Sequence, residues 1–247
     1  MSGQLQLFEA RDATQRWNVR VSRRARRLSV RVYPGGRVEV VVPPGASPLT
    51  IERFVGTHRQ WIEERIVDLS AIPAVTDQAR PTSIDLPAIG RKYMVEYRSN
   101  ASNGDSQVRV SVAGEGWLVV SGRLDNEQRI AKALRTWLAA LAQVELTREL
   151  VQTARRCGLE FRRVQIRRQR TRWGSCSASG TISLNVCVLF QAPAVMRYLL
   201  VHELSHTRHM NHSRRFWSLV ESLEPDYQRL DRELLRGWQQ VPGWMFA

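Results

Sequence analysis

Two histidines four residues apart frame a glutamate in His202-Glu203-Leu204-Ser205-His206, and His209 and His212 follow at once. Four of the chain's five histidines thus fall within eleven residues. At 3.6 residues per turn, side chains four apart leave a helix on the same face. Two imidazoles on one face, with a carboxylate beside the first, is the arrangement that holds a zinc ion and activates its water. Pro193 suits the first turn of such a helix, because its ring presets φ and its missing N–H costs nothing there. No glycine or second proline interrupts residues 194–206. Val195, Leu199, His202, His206 and His209 share one face at helical spacing, so the apolar part anchors in a core and the histidine part opens on a cleft.

The third ligand is a matter of geometry. His202 and His209 are separated by about 10.5 Å of helix rise, and three imidazoles along one straight face do not converge tetrahedrally with His206 between them. Asn211 tolerates the left-handed conformation that ends helices, so a turn at Met210-Asn211 swings His212 back over the ion. The reading favours His212, with His209 in a supporting or surface role. A glutamate from a following helix, Glu221 or Glu224, is the open alternative. The spacing is that of metzincins, but they carry glycine where this chain has His209, and Met245 lacks the setting of their methionine turn. Glu203 stands about 100° around the helix from His202, which places it to take a proton from water and makes it the candidate catalytic residue.

The rest of the chain is β-rich first and helical later. Leu28, Val30 and Val32 alternate before Tyr33-Pro34-Gly35-Gly36, and Val38, Val40 and Val42 alternate after it, which reads as a hairpin. Ser47-Pro48 starts one helix near 48–70, with Ile51, Phe54, Val55, His58, Trp61, Ile62, Ile66 and Leu69 on its apolar face. His58 stands alone there and is expected to be a satisfied core histidine. Residues 71–82 form a connector. Strands are expected over 91–97, 107–112 and 117–121, split by Asn100–Gly104 and Gly114–Gly116. A long helix spans 126–156, with Ile130, Leu134, Trp137, Leu138, Leu141 and Leu150 in its core. Val164–Arg167 then reads as a strand that turns through Ser177–Gly180 into a partner carrying Ile182 and Leu184, a hairpin just before the histidine helix. Phe216, Trp217, Leu219, Val220, Leu223, Tyr227, Leu230 and Leu234 read as C-terminal packing helices. The fold class is α+β. Residues 1–122 form a β-rich part and 123–247 a metallohydrolase part, as two parts or one continuous domain.

A longer pattern surrounds the histidines. Thr171-Arg172-Trp173-Gly174-Ser175-Cys176-Ser177, Ile182-Ser183-Leu184-Asn185, the histidine helix, Asn211-His212-Ser213 and Phe216-Trp217 follow one another in that order. With Arg26–Val32, Trp61-Ile62 and Gly90-Arg91-Lys92-Tyr93 upstream, the series resembles the YgjP-like metallopeptidase family over most of the chain. The resemblance implies a zincin-like fold with the ion on His202, His206 and His212. In such folds an edge strand beside the active-site helix pairs with extended peptide, a part the expected hairpin suits.

Composition bounds the partners. The formal charge is +14, and Lys92 and Lys132 are the only lysines. The arginine clusters Arg23–Arg27 and Arg162–Arg172 suit nucleic acid, nucleotides or acidic protein segments. The second runs straight into Trp173. Arg172, Trp173 and Asn185 are the candidate substrate-binding residues, and Arg172, Asn185, His209 and Tyr227 the candidates for stabilising an oxyanion. No run approaches the ~18 apolar residues of a membrane span. The first residues show no signal core, and three cysteines, Cys157, Cys176 and Cys187, lack metal-ligand spacing. A membrane partner is thus excluded, and a reducing cytoplasm is expected. The favoured function is a Zn²⁺ metallopeptidase acting on polypeptide. A metal-dependent nucleotide pyrophosphatase and a nucleic-acid-associated protein with a structural zinc are the alternatives. Structural sites usually close with cysteines, so a histidine-only set beside a spare glutamate favours catalysis.

Overall fold

The computed structural model describes residues 6–7, 17–33, 36–70, 80–99 and 107–246. The chain divides into two compact units, Met1–Ala74 and Val75–Ala247. Strands β1 (Gln6–Leu7), β2 (Asn18–Val21), β3 (Ser29–Val32) and β4 (Val38–Val42) form the sheet of the first unit, in the order β1-β2-β4-β3. The expected hairpin is present: β3 and β4 pair antiparallel, Val30 opposite Val40. Of its turn, Pro34 and Gly35 lie outside the described residues, and Gly36 adopts φ 75°. Val40, Val42, Val32 and Val19 are buried, as alternation on a half-covered sheet requires.

The single helix expected over 48–70 is in fact two, α1 (Pro48–Thr57) and α2 (Arg59–Ser70), divided at His58. Gly56 and Thr57 are weak helix formers, and Thr57 Oγ1 donates to the Arg53 carbonyl at 2.9 Å. His58 Nδ1 lies 2.8 Å from the Phe54 carbonyl, so this half-buried histidine is satisfied locally, as expected. Val55 and Ile62 are buried, whereas Trp61, placed on the apolar face by spacing, is 44% exposed. Leu69's side chain lies outside the described residues.

The second unit begins with a strand absent from the sequence reading, β5 (Ser83–Leu86). It is joined by β6 (Arg91–Ser99), β7 (Arg109–Val112) and β8 (Trp117–Gly122) in the order β5-β6-β8-β7. The expected turn at Asn100–Gly104 lies outside the described residues, whereas Gly114 and Gly116 make the β7–β8 turn at φ 83° and 73°. Helix α3 (Glu127–Cys157) agrees with expectation to within a residue at each end. Asn126 caps it by accepting from Arg129 N–H, and Gly158 ends it at φ 61°, a left-handed position that costs glycine nothing. Its 31 residues make a rod of about 46 Å.

Residues 83–122 lie in the same compact unit as α3. Tyr93 meets Trp137 edge-on at 5.2 Å. Glu145, buried on α3, is held by Arg91 at 2.9 Å and Arg148 at 2.6 Å. A buried carboxylate needs such partners, and they tie the sheet to the helix.

A three-stranded sheet follows, with β9 (Arg163–Arg167), β10 (Gly174–Cys176) and β11 (Thr181–Asn185) in the order β10-β11-β9. The hairpin is also corrected. β9 runs parallel to β11, and the antiparallel arm is the three-residue β10, too short and too poor in β-branched residues to read as a strand. The Ser177–Gly180 turn is as expected. A wholly buried 3-10 segment, Val186–Phe190, leads to the central helix α4 (Pro193–Ser205). Helices α5 (Arg214–Leu223) and α6 (Tyr227–Arg236) pack on α4 as expected.

Asn185 fixes the path between β9 and β10. Fully buried, it donates from Nδ2 to the Gln169 and Arg172 carbonyls, both at 2.7 Å, and accepts from Cys187 N–H at 3.1 Å. Asn185→Ala leaves those groups unpartnered and is expected to cost about 2–3 kcal/mol. Urea denaturation measures this; a loss within error of zero would show that the loop does not need the amide.

Candidate metal centre

Helix α4 carries His202 and Glu203 in its last turn, and His206 caps it. The helix ends at Ser205, short of the extension to His209 that the spacing suggests. Ser205 Oγ donates to the Val201 carbonyl and Thr207 Oγ1 to that of Leu204, both at 2.8 Å, and hydroxyls bonded back in this way disfavour a continuing helix. The N–H groups of Thr207, Arg208 and His209 fold back onto Leu204 and Ser205. The chain then returns, and the side-chain nitrogens of His202, His206 and His212 lie within 4.8 Å of one another. Neither His209, Glu221 nor Glu224 belongs to this group. Among the described residues, no other cluster of three or more histidines, cysteines or acids is able to hold a metal ion.

The donor set fits a dication. His202 Nε2 and His212 Nε2 are 3.2 Å apart. Two nitrogens bound to one tetrahedral ion at about 2.0–2.1 Å stand about 3.3–3.4 Å apart, so little movement is needed. The far nitrogens of two rings are already engaged. His206 Nδ1 is 3.1 Å from the His209 carbonyl, so His209 serves through its backbone and not its imidazole. His202 Nδ1 is 3.3 Å from the Tyr198 hydroxyl, which itself donates to Asp231 Oδ1 at 2.7 Å. With its only hydrogen given to Asp231, the Tyr198 oxygen accepts from Nδ1–H, and the tautomer this network assigns leaves Nε2 with its lone pair. Phe216 is buried beneath all three imidazoles, stacked on His206 at 4.5 Å and edge-on to His202 and His212. Trp217 stacks on His212 at 5.5 Å, and Tyr227 on Trp217 at 5.4 Å.

Burial controls the protons. It pushes His202 down to about 3, with the neighbouring His206 and His212 adding to the effect. It also lowers His206, outweighing the opposing carbonyl of His209. Both rings are therefore neutral at pH 7, the form that binds metal. Burial pushes the Glu203 carboxyl up to about 8, while Arg172 pulls the other way. Glu203 Oε2 is buried with no hydrogen-bond partner among the described residues.

Glu203 owes its place to Gly174 on β10. A Cβ at residue 174 would stand 2.5 Å from Glu203 Oε1 and 2.8 Å from its Cγ and Cδ. Only glycine lets the edge strand lie this close to the carboxyl. Cys176 is on the same side, and burial and Glu203 both raise its thiol; Cys187, pushed up to about 12 by burial, is a packed thiol. No cysteine is bridged to another.

The remaining expected site residues separate. Arg172 is exposed near Glu203. Trp173 is buried and stacked on Trp238 at 4.1 Å, and Asn185 is buried in the loop it braces. Three contributors went unread. Tyr198 precedes His202 by four residues, one turn, and that spacing is a usable signal. Gly174 is a lone glycine in a short strand, a hint of close approach. Asp231 carries no local signal, since α6 brings it in from 29 residues away in sequence.

Comparison with known proteins follows this geometry. No curated protein matches the chain. A solved structure described as the metallopeptidase zymogen of Pyrococcus abyssi abylysin shares 30% identity over 35% of this chain and 89% of that one, with a TM-score of 0.32. The family model for the YgjP-like metallopeptidase domain matches residues 26–236, and the chain accordingly belongs to that family of metallopeptidases.

Proposed function

We propose that the protein is a zinc peptidase, with Zn²⁺ held by His202, His206 and His212 and Glu203 as its general base. The observation that carries this reading is the convergence of three imidazoles beside one buried carboxyl whose Oε2 has no hydrogen-bond partner among the described residues. When bound, Zn²⁺ polarises a carbonyl and lowers the pKa of its water to about 7. Glu203 takes a proton at Oε2 and returns it to the leaving amine. Tyr198 and Asp231 hold His202 in the tautomer that ligates, and Phe216 fixes the planes of all three rings.

Polypeptide is the substrate that the neighbouring edge suits. The hydrogen bonds Asn185 N–H to Trp173 O and Ser177 N–H to Thr181 O set the register of β10 on β11. Residues 173, 175 and 177 then bond inward, and the N–H and C=O of Gly174 and Cys176 are directed outward on an unpaired edge. An extended peptide adds to such an edge through its backbone, whatever its side chains.

Three outcomes are expected. Purified protein carries close to one zinc per chain; His212→Ala strips it and His209→Ala retains it, because only the His209 carbonyl is used. Elemental analysis showing the reverse would overturn the ligand set. Glu203→Gln keeps the metal while turnover falls about 10²–10⁴-fold. Gly174→Ala, which must displace the Glu203 carboxyl, likewise lowers turnover with zinc in place. Wild-type turnover on any peptide in both variants would remove Glu203 from the chemistry. Finally, Tyr198→Phe frees the His202 tautomer and weakens zinc about 10–100-fold in a chelator competition; an unchanged affinity in folded protein would leave Tyr198 and Asp231 as packing alone.

A further inference from the structure

A groove opens at the end of β10, with a volume of about 640 Å³. One wall is Thr207, Arg208 and Met210, the turn that joins His206 to His212; the other is the Ser177–Gly180 turn and Glu160–Arg162. Two of its lining segments are joined along the chain to the metal centre, one following His206 and the other following the strand that carries Gly174. Arg162 is fixed on the β-turn, its N–H donating to the Gly180 carbonyl at 2.8 Å. Arg162 and Arg208 are exposed, and no carboxylate among the described residues forms an ion pair with either. Glu160 is the one acidic residue in the lining, so two arginines stand against one acid there. Phe161 and the half-exposed Met210 supply apolar surface for a methylene stem.

Resting on the peptidase reading, we infer that this groove is a substrate subsite that takes an acidic side chain, with Arg162 and Arg208 as its specificity-determining residues. The peptide carbonyl under attack must lie by Glu203, hence opposite Gly174. From Gly174 to Ser177 is three residues of strand, about 10 Å. Antiparallel pairing, the more stable arrangement, runs the N-terminal side of the substrate toward Ser177. The groove therefore receives a side chain two to four residues before the cut. Arginine recognises a carboxylate there by paired N–H donors, which adds geometric specificity to the general attraction of a chain of charge +14.

The zinc-loaded full chain, incubated with a mixed peptide library and read by mass spectrometry, tests this. Cut sites are expected to be enriched about tenfold in Asp or Glu at the second to fourth residue before the cut. Arg162→Ala combined with Arg208→Ala removes the enrichment while zinc content persists, and Arg208→Glu moves it toward Lys and Arg. Cleavage by the wild type without acidic enrichment, or enrichment that survives the double variant, overturns the subsite and leaves the peptidase standing. No cleavage of any peptide by zinc-loaded wild type removes the peptidase reading and the subsite with it.

Discussion

The carboxyl of Glu203 is buried against the bare Cα of Gly174, and most of the local architecture serves that contact. A carboxyl taken out of water loses solvation that no hydrogen-bond donor among the described residues restores at Oε2, which is why burial pushes it upward. Its position is set by two elements that cannot shift independently. Helix α4 is buried around almost its whole circumference, from Val195 to Ser205, and β10 is held by its pairing with β11 and by the Asn185 brace behind it. Crowding at this one point couples the strand edge where peptide would lie to the residue that would move the proton.

The histidines show how supports are divided between near and distant parts of the chain. His206 is oriented by a carbonyl three residues on, a local product of the turn after α4. His202 is oriented by a tyrosine one turn back, which in turn leans on Asp231 from α6. The Phe216 ring from α5 meets all three imidazoles. A centre assembled from α4, the following turn, α5 and α6 holds its geometry only when those helices are docked, so the metal-ligating arrangement is a property of the packed unit.

Several features were readable from local pattern because they depend on local physics. The long helix 127–157 follows from uninterrupted spacing between an asparagine cap and a glycine terminator. The β3–β4 hairpin follows from strict alternation on both sides of its turn. Other readings failed where tertiary pairing outweighs pattern. Nothing in Gly174-Ser175-Cys176 marks a strand, since its partner β11 makes it one; nothing in Val164–Ile166 says that it pairs parallel and not antiparallel. That Trp173 and Asn185 are buried could not be read from residue type alone.

The sequence by itself determined which groups make up the candidate site: the helical period puts His202, Glu203 and His206 at one end of one helix, and the short span to His212 limits where a third ligand can come from. Tertiary structure decided how those groups are held. Whether His209 offers its ring or its carbonyl depends on where α4 stops. Whether Glu203 is solvated or buried depends on a strand residue, Gly174, 29 positions earlier in the chain. Period and spacing are fixed by covalent geometry, whereas tautomer, burial and edge pairing arise only when distant segments exclude water from one another.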